Sequence, residues 1–389
     1  MRFGVSRNTK LLSMASLLVD VSTEMIFPLL PLFLTEILLA PVFVVGLMES
    51  LGEFAVSVAS FFSGWYSDRI GKRRPIIISG YSLSTIVKTL LIFAATWPQA
   101  IAIRVLERIG KGVREAPRDA LIMLSEEPGT AGKAFGFRKM LDNIGAVMGP
   151  LLATVLLALL FNGSHTGESY RTIFAIALIP AIIAVCILFF IKEKASQPNH
   201  SNTVFRDLFQ TKGIVPFFLV MAVLSLGQFT LMLFLLRAAD FLPIILIPVV
   251  YLAYNIFYTI FALPAGMLAD RIGSKKTMLI GMLFFLMALF SAGFFPSPST
   301  MFISFALLGL FMATSKTIPQ VFVSKFAPKN LYAMAVGSYK GLTGIVALPA
   351  NLIAGALWTV SFFNAPAAFV FSIGTTVLAM VLMLTTVRE

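Results

Sequence analysis

Charged residues are scarce in this chain. Of 389 residues only 12% are Asp, Glu, Lys or Arg, against 58% hydrophobic. A soluble globular domain carries about 25% charge, so an ordinary soluble enzyme is excluded. Cysteine is nearly absent. The single Cys186 lies in an apolar run, and no internal disulfide can form. The two histidines, His165 and His200, fall in loops, and no His/Cys cluster has metal-ligand spacing, so neither a metal nor a cofactor is expected. No Walker A pattern occurs, and ATP would have to come from another chain. No nucleophile–base pair suggests an enzyme. The alternating segments of about 10 residues that a membrane β-barrel needs are missing too.

What is present is a succession of apolar runs of about 20 residues, each able to cross a ~30 Å hydrocarbon layer. Twelve spans are expected, near 11–35, 42–64, 76–97, 99–122, 135–161, 171–191, 214–236, 243–265, 277–295, 299–320, 331–358 and 363–386. The first resembles a signal peptide, with Arg2, Arg7 and Lys10 before it. Asp20 and Glu24 interrupt it, and no small-residue cleavage site follows. The pattern predicts an all-α polytopic membrane protein.

Lys and Arg number 30 against 18 Asp and Glu, a net charge of +12. In a soluble chain that would suggest nucleic acid, but here most of the excess sits in short loops. Arg69, Lys72, Arg73, Arg74, Lys133, Lys192, Lys194, Arg206, Lys212, Arg271, Lys275, Lys276, Lys325 and Lys329 share one side with the N-terminus. The opposite loops hold little besides Arg171 and Arg237. The positive-inside rule then places both termini in the cytoplasm, as an even number of spans requires. Compact loops favour a bacterial inner membrane.

The longest polar connection, 192–213, divides the chain into six-helix halves at 1–191 and 214–389. The halves repeat. Gly64-Trp-Tyr-Ser-Asp68-Arg69-Ile-Gly71-Lys-Arg-Arg recurs 202 residues later as Gly266-Met-Leu-Ala-Asp270-Arg271-Ile-Gly273-Ser-Lys-Lys, and Arg114-x-x-Pro117 as Lys316-x-x-Pro319. A duplicated six-helix unit points to a transporter architecture of two pseudo-symmetric bundles.

These residues resemble the major facilitator superfamily (MFS) of secondary transporters, whose signature after the second helix is G-x-x-x-D-R-x-G-[RK]-[RK]. The resemblance covers the whole chain. It implies the MFS fold, a small-molecule substrate, a lipid bilayer, no nucleic acid and a monomer. It also makes Gly64, Asp68, Arg69, Gly71, Gly266, Asp270, Arg271 and Gly273 gating-loop residues. Glycine there permits close helix approach and φ > 0, and an Asp suits a neighbouring helix N-terminus. Topology alone is the other reading of these loops. Gly145-x-x-x-Gly149-Pro150 resembles a motif associated with exporters, without its further small pair, since Leu151, Leu152 and Ala153 follow. Asp20 to Pro28 and Glu107 to Asp119 resemble a widespread prokaryotic branch of the family.

A charge at the bilayer centre costs ~2.5–3.5 kcal/mol on insertion scales, so such residues should face a cavity or a partner. On the fourth span Arg104, Glu107, Arg108, Lys111, Arg114, Glu115 and Arg118 fall at relative positions 0, 3, 4, 7, 10, 11 and 14, one helix face with a charge of +3. Asp20 and Glu24, Glu49 and Glu53, and Arg138 and Asp142 are spaced i, i+4 on their own spans. Two readings stand: charge-paired structural networks, or a basic site for an anionic substrate with Asp20 or Glu24 exchanging protons. The second half offers Lys316 and Lys340, with Tyr251, Tyr254, Asn255 and Tyr258 as one face of the eighth span and Gln228 in the seventh. That face would serve a ligand or only helix packing. Pro28, Pro31, Pro117, Pro150, Pro319 and Pro349 should bend their spans.

The expectation is a secondary active transporter of a small organic anion, working by alternating access and proton-coupled. It would use a proton or other ion gradient and no cofactor. The alternatives are a proton-driven multidrug-type exporter of lipophilic or cationic compounds and a non-transporting sensor with a transporter-like fold.

Overall fold

The computed structural model describes residues 5–126, 131–161, 166–193, 214–326, 332–362 and 365–387. It is helical throughout, apart from the two-residue strands β1 (Ser361–Phe362) and β2 (Ala365–Pro366), paired antiparallel. The first span begins as α1 (Arg7–Ile26), capped where Ser6 Oγ accepts from Thr9 N at 3.2 Å. Pro28 and Pro31 supply no N–H to continue it. The chain bends by 41° into α2 (Leu30–Leu32) and a π-turn at Phe33–Ile37.

The expected spans two to six correspond to α3 (Val42–Ile70), α4 (Arg74–Leu90), α5 (Trp97–Ser125), α6 (Ala131–Phe161) and α7 (Gly167–Leu188). The seventh is split at Gln228 into α8 (Ile214–Gly227) and α9 (Leu231–Ala239). Then follow α10 (Ile247–Ile272), α11 (Ser274–Phe294), α12 (Pro298–Phe326), α13 (Tyr332–Leu357) and α14 (Ala367–Thr386). Pro117, Pro150, Pro319 and Pro349 all lie inside continuous helices.

Among the described residues nine helices are long and apolar enough to cross a membrane, or ten with the bent first span. The expected twelve is therefore not reached on length and composition. Charge removes α5, and α13 offers only the shorter apolar stretch Gly341–Leu357.

Two compact units emerge. The first comprises 1–40, 51–200 and 244–249, the second 41–50, 201–243 and 250–389. Of the connection expected at 192–213, residues 194–213 lie outside the described residues, as do His165 and His200. In the first unit α1 packs on α6 and α7, and α4 on α5. Their core includes Leu12, Val19, Ile77, Tyr81, Leu121 and Leu188. In the second, α8 packs on α14 and α11 on α12 around Phe217, Met221, Met282 and Phe322, with the Phe217 and Phe322 rings stacked at 4.3 Å.

Glycine controls how close α1 and α6 come. A Cβ on Gly145 would lie 2.9 Å from Asp20 Cβ, and one on Gly149 2.5 Å from Glu24 Cβ. Gly136, on the same helix, has nothing within 4 Å. Overpacking a tight contact costs about 1–3 kcal/mol. Gly149→Leu should therefore lower the thermal unfolding midpoint of the detergent-purified protein by several degrees, and Gly136→Leu should leave it unchanged.

The two arginines outside the basic loops have structural partners. Arg171 donates to Ile92 O and, at 2.7 Å, to Ala94 O, where α4 runs out, and lies over the Phe33 ring. Arg237 donates to Ala292 O and Gly293 O at the end of α11, both at 3.2 Å, and lies over Phe241. Each satisfies C-terminal carbonyls that a helix leaves unpaired.

Candidate functional site

Helix α5 positions the charges. Gln99 Oε1 accepts from Ala95 N at 3.0 Å and Thr96 N at 3.3 Å, closing its start. From there the 3.6-residue period carries the charged face down one side. Arg104, Glu107, Arg108, Arg114 and Arg118 are only 4–6% exposed, while Lys111 and Glu115, a 4.0 Å pair, are partly open.

Carboxylates from within and beyond the helix meet this face. Arg104 Nη1 lies 2.9 Å from Glu107 Oε2. Glu53 of α3 reaches Arg108 at 3.6 Å. Asp119 takes Arg118 at 3.2 Å and, from α6, Arg138 at 2.7 Å, and Arg138 also pairs with Asp142 at 3.5 Å. The +3 of the isolated stripe is thus largely compensated by neighbours that helix periodicity alone does not reveal.

Three groups are not paired in this way. Lys88 of α4 is 4% exposed and donates to Ser22 Oγ at 3.0 Å and Thr23 Oγ1 at 2.9 Å, both on α1 between Asp20 and Glu24. Arg114 donates to Ser84 Oγ at 2.7 Å and stands 4.4 Å over the Tyr81 ring, with its Nε buried and unsatisfied. Neither cation has a carboxylate within ion-pair distance among the described residues. Asp20 has no hydrogen bond or ion pair among them, and sits in the field of Asp142, Lys111, Glu24 and Arg118.

Arg118 is tied to both α1 and α4, donating to Ser16 Oγ of α1 at 3.2 Å and Tyr81 OH of α4 at 3.4 Å. Close helix approach makes this possible. A Cβ on Gly80 would meet Gly110 O at 2.8 Å, and one on Gly110 would meet Ser84 Oγ at 2.6 Å. Thr23, Lys88, Arg104 and Glu107 line a small cavity between α1, α4 and α5. Lys88, Tyr81 and Ser84 are absent from the sequence expectation. A lysine inside the otherwise apolar 76–97 run was the available signal for the first.

In the second unit Tyr251, Tyr254 and Tyr258 form a ladder of stacked rings, at 5.7 Å and then 6.4 Å, and Asn255 is buried. Gly309 backs onto it, its Cβ position 2.5 Å from Tyr254 O. Lys316 is exposed. The side chains of Lys340, Asp68 and Asp270 lie outside the described residues.

The repeated loops do bend as glycine allows. Gly71 has φ 66° and Gly273 φ 95°, conformations that cost an L side chain strain. Gly64 seats against Ala116 of α5, and Arg69 lies 5.4 Å over the Trp65 ring. The basic residues that follow the loops reach helix ends. Arg74 donates to Phe189 O beyond α7 at 2.7 Å, and Lys275 to Val387 O beyond α14 at 2.6 Å.

The Major Facilitator Superfamily model matches residues 12–252 and 218–389. The chain belongs to the major facilitator superfamily. It is 34% identical over 366 residues to an uncharacterized MFS-type transporter of Methanocaldococcus jannaschii, covering 92% of this chain and 90% of that one. A shorter match, 30% over 143 residues, covers 36% of this chain and 35% of the multidrug resistance protein MdtH of Photorhabdus laumondii. The crystal structure of the nucleoside transporter NupG shares the fold, with a TM-score of 0.80 over 97% of this chain and 98% of that one at 14% identity. This is a multi-pass membrane transporter, and the charged network lies within the first unit of an MFS fold.

Proposed function

We propose that this MFS transporter moves a small organic anion across the membrane by alternating access, coupled to protons. One observation carries the substrate class: among the described residues Lys88 and Arg114 are buried cations with no carboxylate within ion-pair distance. Buried charges are normally paired, because desolvation is costly when nothing compensates it. An anionic ligand supplies the missing charge. Asp20, a carboxylate with no hydrogen bond or ion pair among the described residues, is the proton carrier in this reading. In this reading both termini lie in the cytoplasm, which the basic loops support, and the protein works as a monomer in an inner membrane. The two glycine-hinged loops gate the exchange between states, and no cofactor takes part.

The test compares metabolites inside and outside cells with and without the gene, and then repeats the comparison with Arg114→Gln at matched membrane levels. A carboxylate or other anion should shift between compartments on deletion. The variant should lose at least about tenfold of that transport, the scale of one lost charged hydrogen bond. A cationic or neutral lipophilic compound, carried undiminished by Arg114→Gln, would favour the second reading. That reading, a multidrug-type exporter using Asp20, Glu24 and Glu107, draws on the similarity to MdtH.

A further inference from the structure

We infer, resting on the reading that the glycine-hinged loops gate the exchange, that Glu193 is a positioning residue of the first loop. Its carboxylate fastens the turn between α3 and α4 to the end of α7, so that the turn and the start of the 192–213 connection move as one body. The turn by itself is weakly specified. It comprises Gly71–Arg73 and is closed on one side, where Gly71 N donates to Ser67 O at 3.0 Å. Glycine at φ 66° has no Cβ to hold it there. Arg73, in the N-cap position of α4, makes no side-chain cap. The peptide N–H groups at the start of α4 therefore need an acceptor from elsewhere in the fold.

Glu193 supplies that acceptor. Arg73 N donates to its Oε1 at 3.0 Å and Arg74 N to its Oε2 at 2.8 Å. Two oxygens of one anion on successive N–H groups at a helix start fix orientation as well as distance, and such charge-assisted bonds are the strong ones. The Arg74 guanidinium returns the contact, donating to Phe189 O beyond α7 at 2.7 Å.

Lys192, the residue before Glu193, is held from another helix. Its N donates to Asn8 Oδ1 at 3.0 Å, while Asn8 Nδ2 donates to Lys192 O at 2.9 Å and to Ser125 Oγ at 3.0 Å. Asn8 belongs to α1 and Ser125 ends α5. Lys192 and Glu193 thus join the ends of α1, α4, α5 and α7 where the connection begins. The second unit repeats the cationic part of the tie, since Lys275 reaches Leu384 O at 3.1 Å and Val387 O at 2.6 Å at the end of α14. A plain helix cap needs only the two bonds to α4. The further bonds to Lys192 and from Arg74 carry a displacement of the connection to the turn.

Hydrogen–deuterium exchange on the full-length protein in lipid nanodiscs reads the link, and the metabolite comparison in cells reads its use. Glu193→Gln should speed exchange of the Arg73 and Arg74 amides about tenfold or more, the scale of a lost charge-assisted bond. Asn8→Ala touches neither amide, yet should speed both about fivefold or more, the lower end of coupling between sites. At matched membrane levels each variant should slow the compartment shift that the gene restores by a similar factor. Ser169→Ala is the control for lost stability. It removes a cap at the other end of α7, where Ser169 Oγ accepts from Thr166 N at 2.8 Å, and should change neither the two amides nor transport. Unchanged amides in Asn8→Ala would reduce Glu193 to a helix cap and overturn the inference. An equal loss of transport in Ser169→Ala would overturn it too. Gly71→Ala separates the remaining failures. If it slows transport while Glu193→Gln does not, the gate stands and the positioning role falls; if neither slows transport, the gating reading falls with it.

Discussion

Replacing Glu107 by alanine is expected to destabilise the first unit by about 3–5 kcal/mol, the cost of stripping a buried charge of its partner. Glu107 answers several cations at once. It pairs with Arg104 at 2.9 Å and lies in the field of Lys88, Arg108 and Arg114. Its loss leaves Arg104 buried at 6% exposure without that neutralising partner. Lower membrane yield and a midpoint lowered by on the order of 10 °C should follow in detergent unfolding. Glu107→Gln keeps an acceptor and the volume, and should cost only about 1–2 kcal/mol.

The double substitution Arg104→Met with Glu107→Leu discriminates between structure and function. Apolar replacement of a buried pair is often neutral or stabilising, so stability should recover. If the pair serves transport, activity should not recover with it. Full transport by the stable double variant would reduce Arg104 and Glu107 to a structural ion pair.

How much of this was legible beforehand differs between elements, for physical reasons. The repeated Asp-Arg-x-Gly loops carry their meaning locally. Gly71 and Gly273 sit at positive φ, and a glycine at a tight inter-helix turn is readable from the chain alone. The face of α5 was legible as well, because helical period fixes which residues share a side. The partners were not. That Arg108 meets Glu53, or that Asp119 joins Arg118 to Arg138, depends on which helices become neighbours, and period says nothing about that.

Lys88 was hidden for another reason. A single lysine within an apolar run looks like a minor irregularity until Ser22 and Thr23 are brought beside it by the fold. The glycine pair on α6 was legible as a motif but not as a contact. The structure gives it the task of seating α6 against α1 at Asp20 and Glu24.

That seating bears on the second large effect. Asp20→Asn is expected to abolish uptake or export driven by an imposed pH gradient in proteoliposomes, while substrate exchange at equal pH continues. Coupling free energies between sites are typically 1–3 kcal/mol, so gradient-driven accumulation should fall on the order of tenfold or more. Asp20 projects from the part of α1 pressed against Gly145, with Asp142 of α6, Lys111 and Arg118 of α5 and Glu24 of its own helix among its electrostatic neighbours. Two carboxylates near one another favour a proton on one of them, whereas the cations favour the charged form. A helix shift that changes the distance to either set moves the proton, and binding the proton in turn favours the shifted state, since linkage is reciprocal. Asparagine holds the neutral form permanently and removes the exchange without removing the volume. Glu24→Gln, one turn away along α1, is the control and should retain gradient-driven transport. Asp20→Asn protein that still concentrates its substrate against an equal external pool would assign the coupling proton to another carboxylate, and an Asp142→Asn variant would then be the next to measure.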